Sequence, residues 1–157
     1  MKTFRLRSLQ FFIEEEKSIE LKDVPVIEGL IINREEDDGS WLLEAVIKTE
    51  HLAAFSAWKQ AETLLIFEVV ITHPENEPAM MKGTIRDILE LNSNLSVMID
   101  AKMAAGKDDI STMLLENLIK EGRSGEELLK EFSKRKTDQR GWSKKIAENL
   151  YKQAGQG

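Results

Sequence analysis

Proton transfer near neutral pH needs a titratable side chain, and the histidines of this chain are His51 and His73. Neither has a second histidine four residues away, the spacing that sets two imidazoles on one helix face around a metal ion. His73 precedes Pro74 in a turn-like segment, with Glu75 and Glu77 close behind. A loop-built acid–base site near His73, Glu75 and Glu77 is therefore the enzymatic alternative, an enzyme of unknown class. The plainer reading makes both histidines solvent-exposed residues of a turn or a helix end.

Two acidic clusters, Glu14 to Glu16 and Glu35 to Asp38, raise the question of calcium. They lack the alternating oxygen ligands and closing glutamate of an EF-hand loop, so they read as exposed strand connections. The chain has no cysteine, which removes disulfides, thiolate metal sites, thiol nucleophiles and redox switching together. It also lacks the Gly-x-Ser-x-Gly elbow, the phosphate-binding glycine loop and the dinucleotide fingerprint. No catalytic, cofactor-binding or metal-ligating residue is assigned from the sequence, and no cofactor is expected.

Charge is unevenly spread. Residues 1–100 hold 10 Lys or Arg against 19 Asp or Glu, whereas residues 101–157 hold 12 against 9. The basic stretch Lys134, Arg135, Lys136, Arg140, Lys144 and Lys145 is the best nucleic-acid feature, but Glu131, Asp138 and Glu148 interleave with it. An acidic front half repels phosphates as well, so nucleic-acid binding is disfavoured. Residues 1–13 alternate charged and apolar types, unlike a signal peptide, and no span approaches the roughly 20 apolar residues of a membrane helix. The expected location is cytoplasmic, with no membrane association.

These side chains must be positioned by elements, and the first hundred residues read as strands because their apolar residues recur with period two. Phe4 and Leu6 share one parity while Leu9, Phe11 and Ile13 take the other, which predicts a β-bulge near Arg7 and Ser8. Val24 to Asn33 makes a second run, interrupted by Pro25 and Gly29. Asp37 to Ser40 carries the Asp-Gly signal of a hairpin leading into Trp41, Leu43, Ala45 and Ile47. Leu65, Phe67, Val69 and Ile71 form the next row, then Met81, Ile85, Leu89 and Leu91, then Leu95, Val97, Ile99, Ala101 and Met103. Between the third and fourth runs, Leu52, Phe55 and Trp58 predict a short helix able to plug one end of a barrel.

After Gly106 the period becomes helical. Ile110, Met113, Leu114 and Leu118 share a face behind a cap at Asp108 or Asp109. Ser124 and Glu127 have the spacing of a capping box before Leu128, Leu129 and Phe132, and Trp142, Ile146 and Leu150 recur at four-residue steps. Breaks are expected at Gly122 to Gly125 and from Arg135 to Gly141. The fold class is α+β: a small antiparallel β-barrel of about six or more strands with a short inserted helix, followed by a C-terminal helical pair or hairpin. The domains are 1–104, the barrel core, and 105–157, the helical extension.

The opening MKTFRLRSLQFF, the segment DVPVIEGLIINREEDDGSWLLEAVI and the paired strands FEVVITHPENEPAMMKGTIRDILELNSNLSVMIDAKM resemble the YwpF-like family of Gram-positive bacteria. The likeness covers about residues 1–103 well and the tail loosely, and rests on whole segments with no short motif. It implies a small β-barrel followed by helices, the barrel similar to tube-forming proteins of type VI secretion. It implies no activity and no site residue, because fold analogy does not carry function. Leu30 to Ile32 and Leu64 to Val70 are apolar on both parities and need cover on both faces. The expected function is accordingly a non-enzymatic interaction or ligand-binding module, with an unknown protein partner or self-association.

Overall fold

The structure, a computed structural model, describes residues 1–16, 18–76, 78–105, 107–137 and 139–156, with side chains at all of these except 105, 107–110, 137, 139–142, 149 and 153–156. The strands are β1 (Lys2–Glu15), β2 (Ser18–Asp23), β3 (Glu28–Asn33), β4 (Ser40–Lys48), β5 (Leu65–Ile71), β6 (Ala79–Glu90) and β7 (Asn94–Ala105). The helices are α1 (Leu52–Gln60), α2 (Lys107–Lys120), α3 (Gly125–Thr137) and α4 (Gln139–Gln156). The strand order is β2-β1-β3-β4-β7-β6-β5, and β1 also pairs with β5. Six strands thus close into a barrel and β2 is an additional strand beside β1. Closure removes the free sheet edges that would otherwise invite pairing with other chains.

The first strand makes the closure possible. Residues Lys2 to Arg5 pair antiparallel with Asn33 to Leu30, and Leu6 to Phe12 with Ile71 to Ile66. The register shifts between Leu6 and Ser8, where the change of parity in the sequence predicts a bulge. That extra residue lets Leu6, Leu9 and Phe11 all reach the same core. They meet Leu43, Ala45 and Ile47 of β4, Phe67 and Val69 of β5, and Leu95, Val97 and Ile99 of β7. Helix α1 inserts Phe55 into this core, where it packs edge-on against Phe11 at 5.5 Å and beside Trp58 at 5.0 Å. Phe12, Ile66 and Met80 are also buried but stand outside that cluster, on the opposite parity, as strands apolar on both faces require.

Three details of the strands differ from the sequence reading. Ser18–Asp23 is a strand, and its short alternation of Ile19 and Leu21 with Glu20 and Lys22 was the available signal. In β6 the inward row shifts by one residue after Ile85: Ile88 packs on the core and Leu89 is 60% exposed, while Leu91, just past the strand, is 44% exposed. Met103 is likewise exposed, beyond the buried row that ends at Ala101.

The chain divides into two compact units, residues 1–13 with 21–104, and residues 14–20 with 105–157. In the second, α2 packs on α3 and α3 on α4. Helix α2 ends in a Schellman turn: the Gly122 N–H donates to Ile119 O and the Arg123 N–H to Leu118 O, with Gly122 at φ +82°. Leu114 and Leu118 are buried, as is Ile146 of α4, while Leu129 is 64% exposed. Glu127 does not complete a capping box among the described residues; its Oε1 accepts from Arg123 Nη1 at 3.0 Å instead. The side chains of Asp108, Asp109, Ile110 and Trp142 lie outside the described residues.

Candidate functional site

The antiparallel β4–β7 ladder runs from Ser40 opposite Lys102 to Lys48 opposite Asn94. The Lys48 end leads into α1, whereas the Ser40 end opens into a cleft of about 440 Å³. Arg34 and Asp38 reach it from the β3–β4 connection, Lys82, Gly83, Thr84 and Arg86 from β6, and Asp100, Ala101 and Lys102 from β7. Lys82, Thr84 and Arg86 alternate along one face of β6, and Asp100 and Lys102 do so along β7, which is how the pleat brings a charged row to one place.

Asp100 organises the cleft. Its Oδ1 accepts from Arg34 Nη2 at 3.3 Å and its Oδ2 from Arg86 Nε at 3.0 Å, so each carboxylate oxygen holds a different guanidinium. The remaining N–H groups of the two arginines make no side-chain hydrogen bond among the described residues. Lys82 and Lys102 have no ion-pair partner there either. Asp38 is engaged locally: its Oδ1 accepts from the Ser40 N–H at 3.0 Å. Hydrogen bonds from Ser40 hold the Asp38 carboxyl below its ordinary range; burial opposes them, and the charges of Lys102 and Arg34 add to the lowering. The cleft therefore carries two arginines and two lysines against two carboxylates.

The YwpF-like family model matches residues 2–135, from β1 into α3. The chain belongs to the YwpF-like family. It is 31% identical over 135 residues to the uncharacterized protein YwpF of Bacillus subtilis (strain 168), a match covering 86% of this chain and 99% of that one. The crystal structure of a hypothetical protein from Staphylococcus aureus is similar with a TM-score of 0.63 and 34% identity, over 88% of this chain and 95% of that one. None of these descriptions states an activity, a ligand or a link to secretion tubes. The cleft residues, Arg34 to Lys102, all lie within the matched segment of this YwpF-like chain, and α4 lies beyond it.

The residues singled out from the YwpF-like sequence fall elsewhere. His73 is an exposed turn residue; Asn76 shapes this turn by donating from Nδ2 to Ile71 O at 2.7 Å. Glu75 is exposed too, and Glu77 lies outside the described residues. His51 caps the start of α1 with no side-chain capping bond; its Nε2 is buried, 3.6 Å from Glu50 Oε1. Of the acidic clusters, Glu14 to Glu16 is exposed, and Glu35 pairs with the Met1 amino group at 2.7 Å. In the basic stretch Arg135 is committed, donating from Nη1 and Nη2 to Glu121 at 2.6 and 2.9 Å and from Nε to Glu131 at 3.2 Å. The Arg140 and Asp138 side chains lie outside the described residues. Among the described residues no helix is long and apolar enough to cross a membrane.

Proposed function

We propose that this YwpF-like protein is a non-enzymatic binding module whose barrel takes a small ligand in the cleft around Asp100. One observation carries the reading: a concave site of about 440 Å³, within the size range of small-molecule sites at roughly 300–1,000 Å³, gathers charged side chains from three parts of the barrel. The lining offers cations, carboxylates already hydrogen-bonded, two hydroxyls and the apolar surfaces of Leu64 and Ala101. It offers binding groups without a nucleophile paired to a base. The cytoplasmic location belongs to the same proposal, supported by the cysteine-free sequence.

A fragment library titrated into the full chain, read by amide chemical shifts, tests it. Saturable shifts at Thr84, Arg86, Asp100 and Lys102 are expected for a subset of fragments. A library that leaves those amides unmoved would overturn the assignment of the cleft.

A further inference from the structure

We infer that the cleft takes a small organic phosphate, with the dianionic group among Arg34, Arg86, Lys82 and Lys102 and the rest of the molecule against Leu64 and Ala101. The inference rests on the reading of the cleft as a ligand site and adds the chemical class of the ligand.

The distribution of charge is the first argument. Residues 1–102 hold eleven Lys and Arg against nineteen Asp and Glu, yet four of those cations and only two of those acids line this one cleft. Four like charges in one concavity repel one another, and Asp100 relieves only part of this by bridging two of them. An excess of about two positive charges remains, which matches a phosphate monoester carrying about −1.5 to −2 near neutral pH.

Geometry is the second. Asp100 takes one nitrogen from each guanidinium, orienting both arginines while leaving their other N–H groups to donate. Guanidinium forks suit phosphate oxygens because two N–H bonds can run parallel to two oxygens. Lys82 and Lys102 add mobile point charges from β6 and β7, and the Ser40 and Thr84 side chains supply hydroxyls. The volume fits a single small molecule. A nucleic-acid strand leaving the cleft along the β3–β4 connection would meet Glu35, Glu36 and Asp37, whose charges oppose it.

The test uses the full chain titrated with phenyl phosphate, phenol and inorganic phosphate, read by amide chemical shifts and repeated on Lys82→Gln and Lys102→Gln. Both lysines are exposed and make no ion pair among the described residues, so the variants should melt as the parent does. Phenyl phosphate is expected to shift Lys82–Arg86 and Asp100–Lys102 saturably and more tightly than inorganic phosphate, with phenol inert. Each lysine variant should bind phenyl phosphate roughly three- to tenfold more weakly, the size of one hydrogen bond's net contribution at an exposed position. Equal binding of phenol and phenyl phosphate would overturn the phosphate class while leaving the ligand site standing. Inorganic phosphate binding as tightly as the ester would overturn the organic part, and unchanged affinity in both variants would overturn the seating. A single-stranded oligonucleotide shifting the same amides at lower concentration would replace the inference with a polyanion site. If neither these probes nor any library fragment moved the cleft, the ligand-site reading itself would fall.

Discussion

A β-carbon at position 83 would stand 2.1 Å from the backbone oxygen of Asp100 and 3.0 Å from the Cα of Ala101. The obstacle is the backbone of β7, which cannot swing aside as the end of a side chain can. Gly83→Ala should therefore force β6 and β7 apart and cost about 1–3 kcal/mol or more, the range of overpacking changes, read as a lower urea midpoint. Because Asp100 holds both arginines, the same variant should also weaken any ligand that depends on the cleft. None of this was visible at the level of motifs. Arg34, Lys82, Arg86 and Lys102 lie in separate stretches of an acidic chain and become neighbours only when the barrel closes. The alternation of Lys82, Thr84 and Arg86 on the outward parity of β6 was a usable signal, but every exposed strand face carries such alternation. The residues with obvious chemistry, His73 and Glu75, stand in an exposed turn, where spacing alone had suggested a site.

Among the elements, the α2–α3 hairpin is tied at its turn and along its length. Gly122 sits at φ +82°, a region that a β-carbon makes unfavourable by about 1–2 kcal/mol, so Gly122→Ala should destabilise the hairpin by about that amount in thermal melts. Along the helices, the Arg135 guanidinium hydrogen-bonded to Glu121 holds that carboxyl below its usual range. A depressed folded value means that the contribution is present above the unfolded value and is lost as pH falls through the folded one. Glu121→Gln should consequently lower the melting temperature slightly at pH 7, and the difference from the parent should vanish in the strongly acidic range below the depressed value. Glu121 is exposed although Arg135 is half-buried, so the effect should also shrink in high salt. Elements with long, clean periodicity were legible beforehand: β4, β5, α1 and the bulge in β1, whose parity change could be resolved in only one way with a single buried face. Strand β2 was missed because six residues with two apolar side chains carry too little pattern. The inward row of β6 was misread past Ile85 because Leu89 and Leu91 continue the alternation after the backbone has shifted face.

For the molecule as a whole, the ring is completed by pairs such as Leu9 with Val69 and Phe11 with Phe67, far apart in sequence, while β3–β4 pairs through a short connection. Joining distant segments carries a larger loop-closure entropy, so the barrel should refold on the slow timescale of topologies rich in distant contacts, about milliseconds to seconds. Leu9→Ala should speed unfolding far more than it slows folding, because β1–β5 pairing comes late; stopped-flow rates against urea would show the reverse if β1 belonged to the nucleus. The bulged strand has a further consequence during synthesis. The ribosome releases β1 before its partner β5, and at about 5–20 residues per second the partner of Leu9 follows only after roughly 3–12 s. Through that interval the row Leu6, Leu9 and Phe11 has no β5 to lie against, so the nascent chain presents an apolar strand to its surroundings. Slower translation between Leu9 and Val69 lengthens that exposure, and the yield of folded protein in the cell should fall with it.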